Sequence, residues 1–494
     1  MLEVSLSNAR IHMTGIKGSG MVALAQILQG RGATVRGTDT DERFYTDYIL
    51  EALRIPVIES FSADNLDEDT DLLFYSSAYD PSGHPELQRA AELGIPMYTY
   101  NEGLGMLSEH ADATGIAGVH GKSTSSALAG TILRALGLPA TTVVGSMVPD
   151  FGDRAASVQG DRFFVAETCE YRRHFLSFHP DRIMLTGVEP DHLDYYRDYD
   201  DIHSAFCEYA MRLSPGGLLV YCSDNRGAVD VASYISRKRP DVRLTEYGYN
   251  ARGSFAVTSV TVADERVQFA LAGFDTPLVL RVPGRHNAVN CAGVLAVIED
   301  MLKVDAHSLD DERWSRVCAA VSGFGGLKRR SEVVGEANGI TILDDYAHHP
   351  TAIAAELSAI REFYPGRRVV VDFMSHTYSR TAGLLEEFAG TLAEHSDALF
   401  LHRIYASARE AKPDGVTGDS LEQAVRRKLH ENPRSRAGSV HYIDKPSDAV
   451  GPVLRFLRSG DIFITMGAGD NWQVGQAVLT ELQKSRFPRQ AHNT

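Results

Sequence analysis

One stretch constrains the fold more than any other. The apolar run Thr114-Gly115-Ile116-Ala117 leads into Gly118-Val119-His120-Gly121-Lys122-Ser123-Thr124, which opens the helical run Ser125 to Leu136. A strand that turns through glycines into a helix is half of a crossover unit, and crossover units build parallel sheets. The glycine turn presents backbone N–H groups at a helix N-terminus, where phosphates are held. Lys122 can neutralise the β- and γ-phosphates, and the Ser123 hydroxyl can sit on Mg²⁺. The usual phosphate-loop spacing needs glycine at 116, where this chain has Ile116 between Gly115 and Gly118. The competing reading is a glycine turn that merely contains a lysine.

A second glycine turn, Gly15-Ile16-Lys17-Gly18-Ser19-Gly20, follows the strand-like Ile11-His12-Met13-Thr14 and precedes the helical run Met21 to Gln29. Such glycines admit a pyrophosphate, and Asp39, at the end of the next strand, is spaced to hold ribose hydroxyls. The order is GxxGxG, not GxGxxG, which weakens a nicotinamide-dehydrogenase reading. A tight helix–strand turn would leave the same trace. Two anion sites on adjacent units favour phosphoryl transfer between ligands over hydride chemistry.

The strand–helix alternation recurs along the chain. Ala33 to Arg36, Leu72 to Tyr75 and a run near Pro96 read as strands of a first series, with a helix from Pro85. Thr114 to Ala117, Phe163 to Ala166 and Ile183 to Thr186 belong to a second. Between Val242 and Val282 the alternation of Phe255 to Thr258 and Val267 to Ala270 predicts antiparallel hairpins appended to the parallel sheet. Two helical segments end near Val321, and Gly323-Phe324-Gly325-Gly326 reads as a linker. A third series runs from about Ser331 through Ile462 to Thr465 and a last helix, and the polar tail after Arg486 is expected to be loose. The fold expected is three consecutive α/β domains, divided at 1–108, 109–325 and 326–494. The 494 residues agree with that number at about 150 per domain.

Composition excludes several classes. Lys and Arg number 49 against 65 Asp and Glu, a formal charge of −16, which disfavours nucleic acid or an anionic membrane as partner. Five dispersed cysteines without a CxxC pair argue for a reducing compartment. No apolar run approaches the roughly 18 residues that span a bilayer. Met1-Leu2-Glu3-Val4-Ser5 lacks the basic end and apolar stretch of a signal peptide. The expectation is a cytoplasmic protein without membrane insertion.

Other ionisable groups gather at strand ends, which face the ligand crevice of an open parallel sheet. Glu167, Glu170, Asp191, His192 and Asp194 are candidates for a metal, with surface or capping roles as the alternative. Arg285-His286-Asn287-Ala288-Val289-Asn290 opens a helix and suits either a base edge or a cap. Asp344-Asp345-Tyr346-Ala347-His348-His349-Pro350 and Ser375-His376-Thr377-Tyr378-Ser379-Arg380 each follow a strand. Tyr195 and Tyr196 are read as core side chains.

Taken together and in this order, these motifs resemble the Mur ligases of peptidoglycan synthesis over essentially the whole chain. The resemblance rests on Gly15 to Met21, Gly118 to Thr124, Glu167 to Tyr171, Asp191 to Tyr196, Pro283 to Asn290, Arg329 to Glu332, Asp344 to Thr351 and His376 to Thr381. It implies a Rossmann-like N-terminal domain, a phosphate-loop ATPase-like central domain with added antiparallel strands, and a Rossmann-like C-terminal domain. Gly15, Ile16, Lys17, Gly18, Ser19 and Gly20, with Asp39 and Ser76, would hold the UDP-sugar. Gly118, Gly121, Lys122, Ser123 and Thr124 would hold ATP, and Ser123, Glu167 and His192 would surround Mg²⁺. His286, Asn287 and Asn290 match an adenine-side motif, Asp345 a ribose contact, and Arg330 the arginine leading into the third domain. Tyr346, His348, His376 and Arg380 fall where the family gathers the reacting carboxylate and the incoming amino acid.

The resemblance further implies the alanine-adding branch: an ADP-forming ligase acting on UDP-N-acetylmuramate and L-alanine, as a monomer or homodimer. Lys122, His348 and Arg380 would be its catalytic residues, with His348 assisting loss of the ammonium proton. The alternatives are a tripeptide-recycling ligase for the same sugar nucleotide and a non-catalytic ATP-binding homologue. Gly187, Cys169, Thr377 and Val119 depart from the family's usual asparagine, acid, arginine and threonine. No lysine lies between Lys122 and Lys238 to serve as the modified lysine of some relatives.

Overall fold

The first alternating series folds into five parallel strands in the order Val57–Ile58, Thr34–Thr38, Arg10–Thr14, Leu72–Tyr75, Met97–Thr99, the doubly wound arrangement whose ligand crevice lies at the strand C-termini. The computed structural model describes residues 6–192, 195–304, 306–406, 415–431 and 435–484. Asp194 and the tail after Arg486 lie outside them. By internal contacts the chain divides into two compact units. One is Met1–Thr261, Gln268–Arg281 and His286–Gly325; the other is Val262–Val267, Val282–Arg285 and Gly326–Thr494.

The helix Ser19–Gly30 is buried at every position from Met21 to Leu28, which a helix with one solvent face would not be. Its second neighbour explains this: it lies against the strands Ala140–Val148 and Arg154–Val158 of the next sheet. Gln26 donates from Nε2 to the Ala156 carbonyl at 2.5 Å and accepts the Ala156 N–H at 3.3 Å. Because Arg154–Val158 is an edge strand, that amide satisfies backbone groups an open edge would expose.

The central sheet runs Arg243–Tyr247, Leu218–Cys222, Arg182–Leu185, Asp112–Ala117, Phe163–Glu167, Ala140–Val148, Arg154–Val158, parallel except for the last pair. The expectation of hairpins throughout 242–282 is therefore corrected in part. Arg243–Tyr247 pairs in parallel with Leu218–Cys222; it mimics a hairpin strand because, at the sheet edge, its first two residues are exposed. Val257–Ala263 and Arg266–Leu271 do form a hairpin, turned through Asp264 and Glu265 at φ 50° and 54°, as two-residue turns require. It belongs to a separate three-stranded sheet with Leu278–Leu280.

The third sheet is Glu332–Ala337, Ile340–Asp345, Ile462–Gly467, Val369–Met374, Ala398–Leu401, Val440–Tyr442, with an antiparallel first pair and parallel pairing elsewhere. Its middle strands are buried throughout, so they read as unbroken apolar runs. No helix of the described residues is long and apolar enough to cross a membrane.

Candidate functional site

In the central sheet, the strand Asp112–Ala117 leaves through Gly118 to Gly121 into the helix Lys122–Leu136. Gly121 sits at φ 83°, and a Cβ there would come within 2.8 Å of Asn290 Oδ1. Conformation and proximity both demand glycine. The neighbouring strand braces the loop: the Thr186 hydroxyl lies 2.5 Å from the His120 carbonyl, and Val119 donates its N–H to Gly187 O at 3.1 Å. Val119 is thus tied through its backbone. Asn290 donates to Asn287 Oδ1 at 3.2 Å, both side chains buried. Asn290 is the fifth residue of the helix His286–Lys303, so it is not a cap; exposed His286 opens the helix. Ser123 and Thr124 follow Lys122 on the helix's first turn.

Lys122 folds back over this loop. Its Nζ donates to Gly118 O at 2.5 Å and to both Glu170 oxygens at 2.9 and 3.0 Å. Burial works to lower the ammonium, but Glu170 and Glu167 outweigh it and the net shift is upward. Glu170 is opposite in sense: burial pushes its carboxyl up, while Lys122 and His192 hold it below the ordinary value. The hydrogen bond to Glu170 raises the His192 imidazole against the pull of burial.

Glu170, Asp191 and His192 offer ligand atoms within 4.8 Å of one another. His192 Nε2 stands 3.5 Å from Glu170 and 3.7 Å from Asp191. Two carboxylates and an imidazole suit a hard divalent cation in a mostly oxygen shell. Of the set expected from the resemblance, His192 falls in this cluster. Glu167 ends its own strand and accepts the Gly145 N–H at 3.1 Å, and Ser123 lies outside the cluster, on the helix. Tyr196 is core, 1% exposed, its hydroxyl donating to the Glu170 carbonyl at 2.5 Å. Tyr195 departs from the expectation, for it is 42% exposed.

The N-terminal loop is organised differently. Gly15 turns at φ 79°, and a Cβ there would meet the Tyr79 ring at 2.6 Å and Ser76 Cβ at 3.0 Å. Ser76 therefore lies beside the loop. Ile16 is core, 0% exposed. The Lys17 ammonium is turned inward, donating to the Thr40 and Glu42 carbonyls and to Glu59 at 2.9–3.0 Å, with Asp47 at 3.3 Å. Asp39, 6% exposed, accepts the N–H groups of Lys17 and Thr40 at 2.7 and 2.8 Å. The Lys17 and Asp39 side chains build the loop itself, which leaves Gly18, Ser19 and Gly20 as its accessible lip.

In the C-terminal unit, Asp345 is 4% exposed and accepts the Ser331 and Ala347 N–H groups, each at 2.7 Å. Burial pushes its carboxyl up. Burial pushes Asp344 up to about 6 against Arg329, whose Nε lies 3.1 Å away. Arg329 and Arg330 stand 5.0 and 5.9 Å from the Tyr346 ring centroid. His348 Nδ1 is 2.8 Å from the Tyr346 carbonyl; a carbonyl only accepts, which assigns the proton to Nδ1 and leaves Nε2 as acceptor. Burial, then Arg380 and His376, push His348 down to about 4, so it is neutral at pH 7. The His348 and His376 rings meet edge-on at 5.9 Å. Arg380 Nη1 is buried without a hydrogen-bond partner among the described residues, an arrangement that an anionic ligand would satisfy.

Two contributors escaped sequence reasoning. Glu356, on the helix Pro350–Phe363, accepts the Ser331 hydroxyl at 2.5 Å and is pushed up to about 8 by burial and by Asp345. Nothing in its helical context marks it. Arg329 was visible only within the stretch Arg329 to Glu332.

Three family models match the chain: "Mur ligase family, catalytic domain" over 10–112, "Mur ligase middle domain" over 116–298, and "Mur ligase, glutamate ligase domain" over 329–469. UDP-N-acetylmuramate–L-alanine ligase of Treponema pallidum is 44% identical over 478 residues, 97% of this chain and 98% of the relative. That of Borreliella burgdorferi is 37% identical over 468 residues, covering 94% and 97%. Among solved structures, a UDP-N-acetylmuramate-alanine ligase from Thermotoga maritima superposes with TM-score 0.76 at 22% identity, covering 97% of this chain and all of that one. A murein peptide ligase from Psychrobacter arcticus gives 0.65 at 20% identity with the same coverage. These two likenesses concern fold.

Proposed function

This chain belongs to the Mur ligase family, and from that premise we propose that it joins L-alanine to the lactyl carboxylate of UDP-N-acetylmuramate, converting ATP to ADP and phosphate, in peptidoglycan precursor synthesis. One observation carries the reading: a phosphate loop whose lysine is ion-paired to the carboxylate–imidazole cluster Glu170, Asp191, His192, in a chain 44% identical along nearly its whole length to a ligase named for this reaction. The domain boundaries we assign are 1–108, 109–325 and 326–494.

A carboxylate is a poor electrophile, so phosphoryl transfer from ATP first makes an acyl phosphate. The alanine amine then attacks, and a tetrahedral intermediate collapses to the amide and phosphate. Lys122 exchanges Glu170 for the phosphates and stabilises charge as it leaves the γ-phosphoryl group. His192, Glu167 and Ser123, with Glu170 and Asp191 beside His192, are the residues that would hold Mg²⁺, which would supply further charge neutralisation. Arg380 holds an anion with its unpaired Nη1, and neutral His348 receives the ammonium proton at Nε2. Gly18 to Gly20 carry the nucleotide end of the sugar.

A dehydrogenase reading loses its support where the Lys17 and Asp39 side chains are spent on the loop. The deciding measurement is phosphate release from Mg-ATP with UDP-N-acetylmuramate, with and without L-alanine, glycine, serine and a tripeptide. Release that needs both the sugar nucleotide and L-alanine is expected. Preference for the tripeptide moves the protein to the recycling branch, and no turnover with any acceptor overturns the ligase reading.

A further inference from the structure

Arg172 and Arg173 are consecutive non-glycine residues in the left-handed region, at φ 50° and 59°. For an L-residue that conformation is costly, and it persists where surrounding contacts impose it, often at functional sites. The contacts that impose it belong to Arg173. Its guanidinium pairs with Glu208 at 2.6 Å and Asp201 at 3.0 Å, and its N–H donates to the Glu170 carbonyl at 2.9 Å. Arg172 has neither an ion pair nor a side-chain hydrogen bond among the described residues. It is exposed and stacks over the Tyr171 ring at 5.4 Å. An exposed cation–π stack returns less than the strained backbone costs. The turn therefore holds a guanidinium in place that its own fold does not use.

Its location suggests the use. The Tyr171 ring lies 4.8 Å from His192 and 6.1 Å from the exposed Tyr195, so one aromatic ring separates Arg172 from the Glu170, Asp191, His192 cluster. Lys122 is already paired with Glu170. A carboxylate-bearing ligand approaching this cluster meets two carboxylates, and an uncommitted guanidinium at the rim offsets that repulsion and offers a planar fork. We propose that Arg172, presented by the strained 172–173 turn over the Tyr171 ring that contacts His192, binds the carboxylate of the sugar-acid substrate before it is activated. This rests on the ligase reading above.

The test uses the whole protein with R172G and R172K. Glycine adopts the observed φ without strain, so R172G removes the guanidinium without disturbing the turn. Affinities for UDP-N-acetylmuramate and for UDP-N-acetylglucosamine, which lacks the lactyl carboxylate, are measured by calorimetry alongside Tm. The expected result for R172G is affinity for UDP-N-acetylmuramate weakened by about tenfold to a hundredfold, unchanged affinity for UDP-N-acetylglucosamine, and a Tm that does not fall. R172K should recover part of the loss. Equal weakening of both ligands, no weakening, or a lower Tm without selective weakening overturns the proposal. If the wild type turned nothing over while R172G still lost only the carboxylate-bearing ligand, the ligase reading would fall and the Arg172 subsite would stand.

Discussion

The two glycine loops read alike in sequence, each a strand, a turn with a lysine, and a helix, yet their lysines have opposite fates. Lys17 has a side chain 1% exposed, caged by Thr40, Glu42, Glu59 and Asp47. Lys122 stands 13% exposed against Glu170, beside His192. The cause is where the acids lie. In the N-terminal domain Asp47 follows the second strand and Glu59 the third, on segments that close around the Lys17 ammonium. In the central domain Glu170 follows a strand that neighbours the loop's own, at the ligand end of the sheet. A loop lysine is a phosphate ligand only when its resting partner is one that a ligand can replace.

The largest test of that contrast is Lys122→Met. Phosphate release should fall by at least about 10²–10³-fold, with stability also reduced because Glu170 loses its buried partner; undiminished turnover would break the comparison. Next is Glu86→Gln, beneath the N-terminal loop. Glu86 is 0% exposed and accepts from Thr14, Thr38, His12 and Asn65 at 2.6–3.2 Å. Burial would raise it, but those donors hold it down to about 2. Its contribution, about 3 kcal/mol by linkage, is present above the ordinary carboxyl range and is lost as pH falls toward 2. Urea midpoints between pH 3 and 7 should show a wild-type slope that Glu86→Gln flattens.

Lys17→Met should register in stability, with a loss of about 2 kcal/mol in denaturant unfolding and no change in KM for UDP-N-acetylmuramate; a large rise in that KM would erase the distinction between the loops. The effect of opposite sign is expected at Glu356, whose carboxyl is raised to about 8. A raised folded-state value means stability is lost as pH climbs from the ordinary range through 8, opposite in sign to Glu86. Glu356→Gln should remove that decline between pH 5 and 9, and an unchanged profile would count against the buried Glu356–Asp345 pairing.

Much of the fold was legible because parallel strands buried on both faces leave unbroken apolar runs, as in Val369-Val370-Val371 and Ile462-Phe463-Ile464. The strands Ala140–Val148 and Arg154–Val158 left no such mark, and Arg243–Tyr247, exposed at the edge, resembled a hairpin strand. Candidate site residues just beyond strand ends were legible by position: Lys122, His192, His348 and Arg380. Their partners were not. Glu356 meets Ser331 across 25 residues, and Lys122 meets Glu170 across 48, separations that no local pattern encodes.

Sequence alone determined the α/β class, the two glycine turns and the set of ionisable groups at strand ends, because backbone conformation and residue chemistry are local properties. Tertiary structure decided which lysine is caged and which faces Glu170, that Glu170 and Asp191 stand with His192, and that Arg172 is held out unpaired. Charge pairing in a buried site depends on distances between strands far apart in sequence, and folding sets those distances.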